Sequence, residues 1–494
     1  MSPNDLLPLA LPALPLLAGV AARTVLGQDH RLPAAALVLT TLLAVALAAT
    51  PRAWAGELFR FDALAATMTL LVSFLGTIIL RFAARYLEGD PARARFLSWI
   101  CLTLASVLTL VGTNHLLVLL GAWTATSLCL HRLLLHHPDR SGAVYAARKK
   151  FVFSRLAELS LLAAAVLLHQ GHNTWRIDEL ASSIASGNQA GLPAAAFLLA
   201  FCAMLKSAQF PFHSWLPDTM DTPTPVSALM HAGVINAGGF LVLRLAPVFA
   251  ATPASLQLLA VVGTVTAVFG AVVMLVQPAV KRSLAFSTIA QMGFMMIECG
   301  LGAWGLALLH LVAHSLYKAH AFLRAGSVVN ALPRAAVPLS TPAIAGGLAA
   351  AVSLVAASAW GIHRIAPAGS GGPTVFLTLL TFATAYGIAR MQSGYQGNLP
   401  RVLATAGGVA LIGCMWHVVA PLAFPHVAAP PIPAWLTFLV GLAFTGLFLF
   451  QSLLWRASAH PLGRRLYVHA LNGFYVGPLA NRLLNRLWPT RPAP

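Results

Sequence analysis

Apolar residues run along this chain in blocks of roughly 20, the length that crosses a hydrocarbon core as a helix, and the blocks are bounded by charge or by Pro/Gly clusters. The pattern predicts about fifteen helices, near 5–26, 32–50, 62–86, 96–112, 114–136, 151–170, 192–212, 223–249, 255–277, 284–300, 304–330, 341–361, 373–392, 402–424 and 434–455. No stretch reads as a water-soluble domain. The longest connections are 137–150 and 171–191. The fold class expected is therefore an all-α polytopic membrane protein.

Composition agrees. Of 494 residues, 58% are hydrophobic and 9% charged, against roughly 25% charged in a soluble domain. That excludes a soluble globule and a disordered chain. The net charge of +18 invites a nucleic-acid reading, but such binders display their cations on a solvated face among many other charges. Nucleic acid is excluded as a partner, and membrane lipid takes its place. The five cysteines stand singly in apolar runs, without metal spacing; no metal, cofactor or catalytic residue is expected. The N-terminus has no cationic region before its first apolar run, so that run is expected to remain as a span.

Most of the charge is topology. With the N-terminus outside, the odd-numbered loops and the tail carry Arg31, Arg85, Arg93, Arg95, Arg140, Arg148, Lys149, Lys150, Lys281, Arg282, Arg334, Arg401 and six tail arginines. Adding Arg23, Arg81, Arg132 and Arg390 at helix ends gives about 22 of the 31 cations on that side, against Arg52, Arg60, Arg176 and Arg364 on the other. The positive-inside rule then places the N-terminus outside and the C-terminus in the cytoplasm.

Five cations remain inside spans: Arg155, Lys206, Arg244, Lys318 and Arg324, with the acids Glu158 and Glu298. Charge at membrane depth is costly and has to pair or face water. Arg244, Arg324 and Glu298 read first as structural or helix-end groups. Arg155 and Glu158, spaced i, i+3, share a helix face and can pair, which makes Glu158 a candidate proton carrier. Lys206 precedes a segment containing Pro211, Pro217, Pro223 and Pro225, residues that interrupt a regular helix. Broken backbone at this depth is tolerated where it is buried in protein or lines a wet cavity. His231 follows nearby; a single buried histidine is more often structural, and its nearness to the break brings it into the path. His310, His314 and Lys318 recur at i, i+4, i+8 and form one polar stripe on an apolar helix, a pattern suited to a proton relay.

The run from Lys206 through Phe210-Pro-Phe-His-Ser-Trp-Leu-Pro-Asp218, with Thr222-Pro-Thr-Pro-Val-Ser-Ala-Leu-Met-His231, resembles the signature of the antiporter-like subunits of respiratory complex I and Mrp antiporters. Phe286-Ser-Thr-Ile-Ala-Gln-Met-Gly293 and His310-x3-His314-x3-Lys318 resemble its second signature, and the similarity spans roughly residues 60–335. The resemblance implies two inverted five-helix repeats with broken helices, at 91–250 and 251–393, after N-terminal spans at 1–90 and before C-terminal spans at 394–456 and a basic amphipathic tail at 457–494. It implies a central Lys206, a relay His231, and a second half-path of His310, His314 and Lys318.

Two departures narrow it. The family's glutamate after the fifth-span Trp is absent: Trp123 is followed by Thr124, Ala125 and Thr126. The chain ends in Tyr467-Val-His-Ala-Leu-Asn-Gly-Phe-Tyr475 and an arginine-rich stretch, where a distal complex I subunit would continue into a lateral helix. With Lys149-Lys-Phe-Val-Phe-Ser-Arg-Leu-Ala-Glu158, that ending is similar to the DabB subunits of inorganic-carbon accumulation complexes. The resemblance implies a subunit of the bacterial inner membrane that conducts cations, protons first, and is itself no enzyme. It implies a DabA-like partner, zinc-containing and similar to β-carbonic anhydrases, on which CO2 hydration and bicarbonate accumulation would depend. Arg464, Arg465 and Tyr475 are the candidate partner contacts. The alternative is a proton-translocating subunit of a complex I-like NADH/quinone oxidoreductase or of an Mrp-type cation/proton antiporter.

Overall fold

The computed structural model describes residues 3–24, 29–50, 54–330, 339–365, 375–394, 399–419, 427, 430–457 and 460–487. Arg52, Arg334 and Arg491 lie outside them. The long helices are α1 (Pro3–Thr24), α2 (Arg31–Ala48), α3 (Ala63–Tyr86), α4 (Arg93–Gly112), α5 (Leu116–Leu134) and α6 (Ser141–His172). A short amphipathic α7 (Ile177–Ala185) leads to α8 (Leu192–Lys206). An interrupted stretch follows: α9 (Trp215–Asp218) between two 3-10 turns, α10 (Thr224–Ala232), α11 (Ala237–Arg244) and α12 (Ala246–Ala250). Then come α13 (Pro253–Met274), α14 (Val280–Gly300), α15 (Trp304–Leu323), α16 (Thr341–Ile365), α17 (Val375–Gly394), α18 (Leu399–Val419) and α19 (Ala434–Ala457), with α20 (Pro461–Leu471) and α21 (Val476–Leu487) as the tail. Among the described residues the only strands are β1 (Trp54–Ala55) and β2 (Arg60–Phe61), one short hairpin.

Ten of these segments are long and apolar enough to cross a membrane, counting Thr224–Arg244 as one. Helices α14 and α15 are not among the ten; α15 carries His310, His314 and Lys318, and α14 carries Lys281, Arg282 and Glu298. The Thr224–Arg244 segment is 89% buried inside the protein, whereas α16 and α19 are 17% buried. The interrupted segment is therefore at the centre, and α16 and α19 face lipid. One large apolar core joins α3–α6, α8–α11 and α13–α15, while α16–α19 build smaller clusters beside it.

Local chemistry fixes several helix ends. The Asp62 side chain accepts from Ala65 N at 2.9 Å and caps α3. Helices α13 and α14 pack backbone to backbone: a Cβ at Gly293 would meet Ala267 N at 2.5 Å, and one at Gly300 would meet Ala260 N at 2.5 Å. Close approach through small residues is how helices associate where lipid supplies no hydrophobic drive.

One expectation needs correction. The sixth helix begins at Ser141, ten residues before the predicted 151, so the connection after α5 is short and Lys149 and Lys150 are inside the helix, 1% and 2% exposed. They are not loop cations. A helix tolerates them there because each ammonium finds oxygen acceptors on neighbouring segments.

The two ends of the bundle are tied differently. At one, Phe59 bridges Thr113 and His115 bridges Arg176, and Asn114 Nδ2 donates to Gly56 O at 2.9 Å. Arg244 closes the same end: its guanidinium reaches Asp62 Oδ2 and Val111 O, both at 2.8 Å. At the other end, Gln277 Nε2 donates to Leu471 O at 3.1 Å and Lys149 reaches the tail.

Two outcomes follow. Arg244→Ala removes the buried donor of Val111 O and one of the two arginines on Asp62, the other being Arg60 at 3.0 Å, and is expected to cost about 1–3 kcal/mol, read as a lower unfolding midpoint in detergent; an unchanged midpoint would show that α3, α4 and α11 do not rely on it. Asp178, outside the spans, is held below the ordinary aspartate value of 3.8: burial acts to raise it, but hydrogen bonds from Arg176 and Asn114 and the Arg176 charge outweigh that. Its folded pKa lies below its unfolded one, so its contribution is complete above the ordinary value and fades as pH falls through the folded value. Thermal stability of the wild type should drop more steeply than that of Asp178→Asn between neutral pH and pH values below 3.8.

Candidate functional site

Lys206 ends α8, where the chain leaves helical geometry. Ser207 closes the helix, Ala208 adopts a positive φ of 48°, and Pro211 precedes the first 3-10 turn. Pro217 lies within the four-residue α9, Pro223 flanks the start of α10, and Pro225 sits in its first turn, where proline is tolerated. All four prolines thus lie in or at the edge of one non-helical stretch. A second interruption, missed by the sequence reading, follows His231: Gly233 has φ −125° and ψ −77°, and a Cβ there would meet Leu229 O at 2.8 Å.

The structure brings Arg155, Glu158 and Lys206 together. Arg155 Nη2 donates to Glu158 Oε1 at 2.7 Å. Glu158 is 8% exposed and lies within electrostatic range of both Lys206 and Lys150. Thr124, at the position where the resemblance leads one to look for a glutamate, lies near enough to Glu158 to influence its carboxylate. Lys206 Nζ is buried without a hydrogen-bond partner and stands 5.2 Å from the centroid of the Trp123 ring. Lys150 is a residue the sequence reading placed elsewhere. Its Nζ donates to Ser127 O at 2.6 Å and Ser127 Oγ at 3.0 Å, and Arg155 also reaches that hydroxyl at 3.4 Å. Ser127 joins two cations on α6 to α5, and nothing in its sequence context marked it.

A second group gathers around α15. His231, fully buried, pairs through Nδ1 with Thr288 Oγ1 at 3.0 Å and stacks on Phe322 with centroids 4.3 Å apart. His314 Nε2 lies 3.2 Å from His231 O. The His310 ring is 6.0 Å from that of His314, and its Nδ1 is 2.8 Å from Glu298 Oε2. Lys318 Nζ donates to Leu284 O at 3.2 Å. Glu298, read first as a helix-end group, therefore belongs with the stripe, whereas His320 and Arg324 are exposed. A cavity of about 50 Å³ is lined mostly by apolar side chains, with Lys206, Thr126, Asn236 and Ser315 as the polar groups in its wall. Its volume is enough for water only beside those polar groups. Asn236 Nδ2 donates to Ser315 Oγ at 2.8 Å, beside His314.

The tail is clasped to the interrupted stretch. Lys149 Nζ donates to Asn481 Oδ1 at 2.6 Å, Asp218 Oδ2 at 2.8 Å and Ser214 O at 3.2 Å. Phe474 and Tyr475 both hold positive φ, 50° and 62°, and the Phe474 ring lies 5.9 Å from that of Phe269. Two consecutive non-glycine residues in this region persist only where surrounding contacts over-determine them. Arg464, Arg465 and Tyr475 are exposed on this tail. Among the described residues, Asp90, His136 and His137 bring ligand atoms within 4.8 Å of one another, but Arg95 lies close enough to His136 to oppose a cation there.

An all-α, multi-pass membrane subunit with two groups of ionisable side chains buried in its interior is the class these features define. The family model "NADH:quinone oxidoreductase/Mrp antiporter, TM" matches residues 113–377, and "NADH-Ubiquinone oxidoreductase (complex I), chain 5 N-terminus" matches 58–97. The chain is 39% identical over 454 residues to "Probable inorganic carbon transporter subunit DabB2" of Halothiobacillus neapolitanus, covering 87% of this chain and 80% of that one. It is 37% identical over 439 residues to "Probable inorganic carbon transporter subunit DabB" of Hydrogenovibrio crunogenus, covering 85% and 82%. A 37% match over 281 residues to NAD(P)H-quinone oxidoreductase subunit 5 of the Paulinella chromatophora chromatophore covers 56% of this chain and 42% of that one. In fold it is similar to a chain of the Mrp complex from a Dietzia species, with a TM-score of 0.61 at 24% identity, over 99% of this chain and 57% of that one. The chain belongs to the NADH:quinone oxidoreductase/Mrp antiporter membrane family, in its DabB branch.

The clasp makes a prediction. Lys149→Met removes three hydrogen bonds and leaves Asp218 and Asn481 without their donor. Trypsin should then cut after Arg482 markedly faster than in the wild type, with a loss of about 1–3 kcal/mol in stability. Equal cutting rates would mean that the apolar contacts of Phe474 hold the tail unaided.

Proposed function

We propose that this chain is the cation-conducting membrane subunit of an inorganic-carbon uptake complex, and that its ion is the proton. The names of its two long-range relatives support the carbon-uptake reading. The observation that carries the ion path is the Lys206 ammonium, buried at the end of a broken helix with no hydrogen-bond acceptor, facing a water-sized cavity, with the Arg155–Glu158 pair within electrostatic range. An uncompensated charge at this depth is costly, so proton occupancy of Lys206 depends on the state of Glu158. That dependence is what a relay needs. The second half of the path is His231, His314, His310 and Lys318, with Glu298 as a further carboxylate.

In this reading the missing fifth-span glutamate is replaced by Glu158 of α6, which lies near Thr124 at the vacated position. The protein lies in the bacterial inner membrane with its N-terminus outside and its C-terminus in the cytoplasm, and residues 91–250 and 251–393 form the two antiporter-like repeats. Its partner is a DabA-like, zinc-containing subunit similar to β-carbonic anhydrases. CO2 hydration and bicarbonate accumulation occur on that partner, driven by ion flow through this chain. Arg464, Arg465 and Tyr475 on the exposed tail are the docking candidates.

Co-purification tests the pairing: a single zinc-containing partner is expected, and a flavin or iron–sulfur assembly would overturn it in favour of a redox-complex subunit. Rescue of a carbonic-anhydrase-deficient strain in air tests the path. Lys206→Ala and Glu158→Gln are expected to lose rescue at normal expression. Thr124→Glu combined with Glu158→Gln should restore part of it, because the carboxylate returns to the vacated fifth-span position near residue 158. Full rescue by Lys206→Ala would remove that lysine from the path.

A further inference from the structure

A pocket of about 520 Å³ opens where α1 ends, α4 begins and α5 ends, remote from the buried groups of the ion path. Its rim is three arginines from three different helices: Arg23, Arg95 and Arg132, all exposed. Its floor is apolar, with Phe96 buried and Trp99 half-buried, and the Arg23 guanidinium lies 5.8 Å from the centroid of the Trp99 ring. No carboxylate lines the pocket. His136 forms one wall, and Asp90 already engages it from the side at 2.9 Å. Helix α4 begins here without a side-chain N-cap bond and without an acidic residue in its first turn, so the partial positive charge of its N-terminus adds to the field. Among the described residues these three guanidiniums have no carboxylate partner, and together around one cavity they call for an anion.

We infer that this pocket binds the headgroup of an anionic phospholipid, with Arg23, Arg95 and Arg132 on the phosphate and the acyl chains leaving across Phe96 and Trp99. Size and surroundings select a lipid over a free oxyanion. The pocket far exceeds an inorganic phosphate, its floor is apolar, and α1 beside it exposes Leu16, Leu17 and Val20 to the hydrocarbon. Three positive charges favour a headgroup with two phosphates over one. Bound there, the lipid would tie α1 to α4 and α5.

The test uses the full chain purified in a neutral detergent, with tetraoleoyl cardiolipin, dioleoyl phosphatidylglycerol and dioleoyl phosphatidylcholine as probes, read by native mass spectrometry and by thermal unfolding. Cardiolipin should remain bound and raise the unfolding midpoint, phosphatidylglycerol should do so less, and phosphatidylcholine should do neither. Arg23→Gln/Arg95→Gln/Arg132→Gln should weaken cardiolipin retention on the order of 100-fold, since each basic residue near an anionic headgroup is worth a factor of roughly five. The control Arg85→Gln/Arg140→Gln, exposed cations outside the pocket, should keep it. The triple variant needs only to elute as the wild type does for the comparison to hold. Should it fail to, single glutamine variants, each with about a fivefold loss, carry the same test. Unchanged retention in the pocket variants would overturn the proposal. Equal stabilisation by inorganic phosphate, with none by cardiolipin, would overturn it in favour of a free-anion site.

Discussion

A lysine ammonium removed from water persists only where oxygen atoms or an opposite charge take the place of its hydration, and this requirement organises the middle of the protein. Lys149 meets it with three acceptors on two other segments, Lys150 with the backbone and hydroxyl of Ser127, and Lys318 with the carbonyl of Leu284. Each acceptor comes from a different helix or from an interrupted stretch, so satisfying the lysines fixes how those pieces sit. Lys206 is the exception. Its Nζ has a cavity, an aromatic ring and a nearby ion pair, but among the described residues no hydrogen-bond acceptor. That difference from the other three lysines is what the role proposed for it rests on.

The same constraint explains why the helices break where they do. Interrupting a helix frees backbone carbonyls and amides that lipid cannot satisfy, so the break has to lie inside the protein. The Thr224–Arg244 segment is the most enclosed of the apolar segments, and the groups freed nearby are used: Leu205 O accepts from Trp215 Nε1 at 3.3 Å, Ser214 O accepts from Lys149, and Ile235 O accepts from Ser207 Oγ at 2.7 Å. The C-terminal tail reaches this region through Asn481. The tail, proposed above as the docking segment, is therefore one side chain away from the stretch that follows Lys206.

Sequence reading was strongest where the relevant contacts are local. The apolar blocks, the Arg155–Glu158 spacing and the His310–His314–Lys318 stripe are all periodicities within one helix, and the positions of the prolines mark a break directly. It misplaced Lys149 and Lys150 because hydropathy averaging treats a pair of lysines as the edge of a span, whereas the helix continues through them once acceptors from α5, α9 and α21 are near. It read Glu298 as a helix-end group because its partner, His310, lies on the next helix. Ser127 and Gly233 carried no signal at all: a serine between Thr126 and Leu128, and one glycine among 38.

By itself, then, the sequence determined that the chain is a helical membrane protein and that a few ionisable groups remain within its apolar helices. Those facts follow from the cost of exposing charge and backbone to hydrocarbon, which each stretch of chain carries with it. Only the tertiary structure decided which of these groups face one another. It placed Glu158 rather than a fifth-span glutamate near Lys206, joined Glu298 to His310, and gathered three arginines at one rim. The reason is that pairing depends on distances between helices far apart in the chain, and those are set by packing, which no local pattern encodes.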